Sequence, residues 1–117
     1  MLCNLVYGIM FGVRDGNEDM VNWRSPKLLQ AAKDCPRCFG CGRVNDGTVV
    51  MAHSNQLRDG KGRSIKAHDY RVAALCWDCH KQVDEGRDLR EQREALWERA
   101  HRATLGWLIE SGKLIVK

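Results

Sequence analysis

The sequence predicts a small α+β domain stabilised by zinc, with flanking helices and a long C-terminal helix. Three features predict it. Five of the six cysteines fall in two tight groups, Cys35/Cys38/Cys41 and Cys76/Cys79, a spacing that suits metal knuckles. Between the groups lie two β-like runs, residues 48–53 and 70–75. Beyond the second group, apolar residues recur at helical spacing towards the C-terminus. A chain of 117 residues is most simply one domain with a single modest core.

Taken in order, residues 1–19 show no clear period, several glycines and a polar run from Asp15 to Asp19. They are expected to be a tail, disordered or contributed by an earlier start codon, ahead of a working domain over residues 20–117. Ser25-Pro26 opens a helix, with serine as N-cap and proline at the first helical position. Residues 27–33 add two turns, with Leu28, Leu29 and Ala32 available for packing. Pro36 and Gly40 break the chain around the first cysteines, and Asn45-Asp46-Gly47 turns it into the strand at 48–53.

Residues 54–69 form a polar loop carrying Arg58, Lys61, Arg63 and Lys66, with Gly60 and Gly62 between them. The second strand, at 70–75, leads into Cys76, and a short helix follows Cys79 and ends near Gly86. Asp88 with Glu91 predicts a capping box for the last helix. Its packing face is expected to be Leu89, Leu96, Ala100, Ala103, Trp107 and Leu108, and Gly112 is expected to end it. Trp97 and Trp107 are expected in the core.

Composition narrows the function classes. The longest apolar runs fall far short of a bilayer span. The segment 1–13 is apolar but lacks the basic start and small-residue cleavage site of a secretory signal. An oxidised secreted domain would spread its cysteines to staple distant loops, so clustered ones predict a reducing, cytoplasmic setting. In residues 1–19, Arg14 is set against Asp15, Glu18 and Asp19, a net −2; with a total of +4, the rest carries +6. That bias suits a polyanionic partner, although it also serves plain solubility.

The thiols come first in the chemistry. A structural zinc takes four soft ligands in a tetrahedron, and two Cys-x-x-Cys turns supply them with little strain. Cys76 and Cys79 are one pair. For the other, Cys38-Phe39-Gly40-Cys41-Gly42 makes the better knuckle, because glycine eases backbone approach to a metal; Cys35 with Cys38 is the alternative. Buried free thiols or a redox dithiol would be the other explanation, but a thioredoxin-like dithiol needs a βαβ setting that the pattern lacks.

Three further side chains stand out by their order. His53 ends the first strand, and His80 follows Cys79. Asp84 lies four residues beyond His80, one helical turn away on the same face. Each has an ordinary explanation: a packed histidine, a fourth zinc ligand if one cysteine is free, a surface charge. Together they read knuckle, strand ending in His, glycine-rich basic loop, strand, knuckle, His-x-x-x-acid helix.

That order resembles the HNH (ββα-metal) nucleases in their zinc-knuckle form. Met51-Ala52-His53, Gly60-Lys61-Gly62, Asp69, and Leu75-Cys76-Trp77-Asp78-Cys79-His80 with Asp84 are most similar to the YbcO-type nucleases of phages and prophages. The likeness covers about residues 22–115 and is strongest from Cys38 to Asp84. It implies a ββα-metal core and metal-dependent endonuclease action on DNA in a bacterial host cytoplasm. Phosphate contacts carry no base code, so low sequence specificity is expected.

Carried over, His53 is the base that activates water, and His80 and Asp84 bind a second divalent ion (Mg²⁺, Mn²⁺, Ni²⁺ or Zn²⁺) distinct from the structural Zn²⁺. Arg58, Lys61, Arg63, Lys66 and Arg71 would hold phosphates. Asp69 would orient either His53 or His68. No organic cofactor and no membrane are expected. One position departs from the broad family: Ala52, just before the base, replaces a usual metal ligand. Water, a phosphate oxygen, Asn55, His68 or Asp69 would have to fill the gap. The alternative function is a zinc-knuckle nucleic-acid-binding module that kept the fold and lost the chemistry.

Overall fold

A computed structural model describes residues 22–116, so the tail assigned to residues 1–19 lies outside the described residues. The fold is α+β. Helix α1 (Pro26–Gln30) runs into a 3₁₀ turn (Ala31–Asp34) and a cysteine hairpin. Strand β1 (Val50–His53) pairs antiparallel with β2 (Val72–Leu75), followed by α2 (Trp77–Glu85) and the long α3 (Arg90–Glu110). The register sets Val50 opposite Leu75 and His53 opposite Val72. No helix among the described residues is long and apolar enough to cross a membrane.

Local chemistry explains the boundaries. Ser25 Oγ accepts from the Leu28 N–H at 3.2 Å and Pro26 opens α1, as the Ser-Pro pair predicts. The first strand starts two residues later than expected, because Thr48 sends both its N–H and its hydroxyl to the Asp46 carboxylate. Those two bonds lock the Asn45-Asp46-Gly47 turn, and Thr48 drops out of the strand. Likewise the second strand starts at Val72, since the Arg71 N–H turns back to the His68 carbonyl.

The start of α3 differs from the expected capping box. Leu89 is its N-cap and provides no side-chain cap. Asp88 is otherwise engaged, its carboxylate accepting from Gln82 Nε2 and its carbonyl from Arg93 Nε.

The core lies between the hairpin and α3. The buried stripe on α3 is Trp97, Ala100, His101, Thr104 and Leu108, spaced i, i+3, i+4, i+7, i+11. Trp97 and the partly buried Trp107 sit in this packing as expected, whereas Leu89 and Ala103 are exposed. Two polar residues on the stripe do what a third strand would do. His101 Nδ1 donates to the Val72 carbonyl at 2.8 Å, and Thr104 Oγ1 accepts from the Ala74 N–H at 2.8 Å. With Phe39 N–H bound to the Ala74 carbonyl, the outer edge of β2 is hydrogen-bonded and covered.

Candidate functional site

Two centres flank the hairpin. In the first, an antiparallel bridge between Arg37 and Val44 closes a small loop that presents Cys38 and Cys41. Cys76 directly follows β2 and is the N-cap of α2, and Cys79 lies in the first turn of that helix. The four sulfurs lie within 4.8 Å of one another, and Cys41 and Cys76 are 3.8 Å apart. Four thiolates about 2.3 Å from a central zinc would stand about 3.8 Å apart. The cluster can therefore hold a metal ion and fits zinc. Cys35 stays out of it: its buried thiol donates to the Arg37 carbonyl at 3.0 Å.

The knuckle is already shaped for thiolates. Burial pushes the Cys38 thiol up, but backbone N–H groups of Cys41, Cys76 and Gly40 outweigh it and bring the thiol down to about 7. The Cys79 thiol is pushed up by burial and by its Cys38 and Cys41 neighbours. One thiolate therefore forms readily, and a cation is needed to hold four together. Gly40 is required by space, since a Cβ there would stand 3.0 Å from Leu75 Cδ2 and 3.1 Å from Cys79 Sγ.

The second centre is an open cleft of about 460 Å³ lined by His53, Asn55, Lys61, Lys66, His80 and Asp84, with Val50, Met51, Ser54 and Leu29 completing the wall. His53 comes from the end of β1, and His80 and Asp84 come from one face of α2. On the β1 side, His53 Nε2 is 2.8 Å from Asp69 Oδ1. A carboxylate only accepts, so Nε2 carries the proton, and in the neutral ring Nδ1 keeps the lone pair. Asp69 thus orients His53. His68 instead accepts the Trp23 N–H on Nδ1 and stacks on Tyr70.

Asp69 is 2% exposed and held from behind. Arg24 Nη1 reaches Oδ1 at 3.1 Å, and the Ser25 N–H donates to Oδ2 at 2.7 Å. Burial would raise its pKa, yet the bonds from the His53 ring and the Ser25 N–H, with the Arg24 charge, hold the carboxyl below its ordinary range.

On the α2 side, His80 Nε2 and Asp84 Oδ2 are 3.1 Å apart, and Asn55 Nδ2 donates to Asp84 Oδ1 at 2.8 Å. Hydrogen bonding to Asp84 raises the His80 pKa against burial, and the same bond lowers that of Asp84. Asn55 therefore positions the carboxylate. Ala52 is buried and offers no donor side chain, and its carbonyl accepts from Trp97 Nε1 at 3.0 Å.

No family model, curated protein or solved structure matches this chain.

The basic residues divide by environment. Lys61 and Lys66 line the cleft. Arg58 pairs with Glu98 at 2.6 Å and lies 3.7 Å from the buried Asp59; Arg71 lies 3.5 Å from Asp59 and over the Tyr70 ring. Arg63 is exposed on the turn between Gly62 and Ile65.

The loop itself is tied down. Asn22 Nδ2 donates to the carbonyls of Gly60 and Lys66, and Arg24 donates to those of Lys66 and Ala67. Gly60 adopts φ +96°, and a Cβ there would meet Asn22 Nδ2 at 2.9 Å. Residues 22–25 are thus a strap across the loop, a role the sequence pattern did not reveal.

Proposed function

We propose that the chain is a metal-dependent endonuclease of the HNH (ββα-metal) type that hydrolyses DNA phosphodiester bonds with low sequence specificity. The observation that carries this reading is one cleft shared by His53, held from behind by the buried Asp69, the His80/Asp84 pair on the helix side, and Lys61 and Lys66 along the wall. By the resemblance, the setting is a phage or prophage in a bacterial cytoplasm.

The roles follow from the atoms. Asp69 holds the Nε2 proton of His53, so Nδ1 can take a proton from a water aimed at phosphorus. His80 and Asp84 would hold the second divalent ion. Nε2 and Oδ2 stand 3.1 Å apart on one face of α2, close enough to share an ion once it displaces the proton between them. Bound there, a divalent ion would supply electrostatic stabilisation of the charge that builds on the phosphate and the leaving oxygen. Lys61 and Lys66 attract and position the phosphate backbone without reading bases, hence the low specificity. A zinc held by the four thiolates would have its coordination filled by protein and would act structurally.

The inactive binding module is the second reading, favoured by the buried Ala52 methyl where the broad family has a ligand. Plasmid nicking in Mg²⁺, Mn²⁺, Ni²⁺ or Zn²⁺ separates the two. The nuclease reading expects cleavage by the native chain and loss with His53→Ala. DNA binding by both proteins, with cleavage by neither under any of these ions, would establish the module.

A further inference from the structure

Trp77 is left unexplained by both centres. It opens α2 between two cysteines of the cluster and is 62% exposed. Its indole makes no ring contact and no hydrogen bond through Nε1 among the described residues, although their other aromatic rings of comparable size have such partners. Trp23 lies 5.7 Å from Tyr70, Trp107 lies 6.5 Å from Phe39, and Trp97 stacks on His101 and donates to Ala52.

Its position is the informative part. At 100° per residue, Trp77, His80 and Asp84 fall within a sector of about 60° on α2. His80 and Asp84 line the cleft, and Trp77 lies one turn nearer the N-terminal end on the same helix face, just beyond the lining residues. Val50, 43% exposed, lines the same cleft from the start of β1. The helix face that lines the cleft therefore runs on into an exposed indole, while the loop wall of the cleft carries the cations Lys61 and Lys66.

We propose that Trp77 is a stacking platform for an unpaired base, so that the cleft takes single-stranded DNA in preference to continuous duplex. This rests on the nuclease or DNA-binding reading and adds the form of the strand. The chemistry favours that occupant. An exposed indole with its faces open gains from stacking on a base, and in a duplex those base faces are already stacked on neighbours. The lysines supply what a strand's phosphates need. An apolar protein surface would use the indole but not the paired cations beside the histidines.

The test uses the zinc-loaded full chain without added divalent ion, so that binding is read apart from cleavage. Fluorescence anisotropy compares a labelled single-stranded oligonucleotide with the duplex it forms with its complement. The inference expects tighter binding of the single strand by the native chain. Trp77→Ala should lose about tenfold or more for the single strand, with little change for duplex, and Trp77→Phe should recover most of the loss.

Zinc content and far-UV circular dichroism of both variants should match the native chain, since the side chain is exposed. Equal affinity for both DNA forms, or an unchanged single-strand affinity in Trp77→Ala, overturns the inference and leaves the indole to a protein partner. The two claims fail separately. If the chain never nicks DNA yet Trp77→Ala still loses the single strand, the catalytic reading falls and the platform stands.

Discussion

His53 Nε2 lies 2.8 Å from Oδ1 of Asp69, a residue whose side chain is only 2% exposed. The same carboxylate takes the Ser25 N–H and the Arg24 guanidinium, so one buried group joins β1 to the strap before α1. Asp69→Asn removes the charge these donors share. The expected result is a drop of about 10²-fold in the proposed cleavage rate and a loss of about 2 kcal/mol of stability. Single-turnover nicking and urea unfolding measure the two.

Acid should act through the same residue. The folded pKa of Asp69 is held below its ordinary value, so its contribution to stability is fully present above about pH 4 and is lost as pH falls through the folded value. Thermal midpoints measured between pH 6 and pH 3 should fall more steeply for the native chain than for Asp69→Asn. Protonation of the clustered thiols is common to both proteins, so the difference between the curves reports on Asp69.

His80 and Asp84 shift in opposite directions, which defines a window. Raised above its ordinary value, His80 stabilises the fold below about pH 6.5 and stops doing so as pH rises through its folded pKa. Asp84, lowered, contributes above about pH 4 and stops as pH falls through its own folded pKa. A divalent ion competes with the His80 proton, so affinity at this pair should weaken as pH drops through the raised value. NMR titration of the His80 ring should show a high pKa that falls on adding Mg²⁺ or Mn²⁺ and also falls in Asp84→Asn. An unmoved ring signal in excess divalent ion would argue against a second metal there.

Thr104 tests the covering of the hairpin edge. Its hydroxyl accepts from the Ala74 N–H and donates to the Ala100 carbonyl, and the residue is 1% exposed. Thr104→Val keeps the shape and leaves a buried N–H unpaired, which costs about 1–3 kcal/mol. Denaturant midpoints, with zinc content as a control, would report it.

The thiols give the sharpest contrast. Cys76→Ser and Cys79→Ser should lose zinc and unfold the domain, while Cys35→Ser should keep one zinc per chain, because Cys35 lies outside the cluster. Metal analysis together with circular dichroism distinguishes these outcomes.

What the sequence made legible follows the range of each interaction. The knuckles, the Ser-Pro cap, the Asn45-Asp46-Gly47 turn and the His80/Asp84 pair are set by residues within a few positions of each other, and their spacing can be read directly. The choice of His53 over His68 as the partner of Asp69 depends on a strand pairing, and Arg24 acts on a carboxylate 45 residues away. No local pattern encodes either. The stripe on α3 was half visible, because His101 and Thr104 are polar by type yet buried through bonds to β2. Asp88 looked like a cap until Gln82 took its carboxylate.

Cys76 closes the buried run of β2, begins α2 and contributes a sulfur to the cluster. The helix that carries His80 and Asp84 is therefore hinged at a cysteine of the cluster that could hold a metal ion. Its alignment with His53 would last as long as the zinc stays bound. The dwell time of that ion, rather than the strength of any contact inside the cleft, would then set the working lifetime of the assembled site.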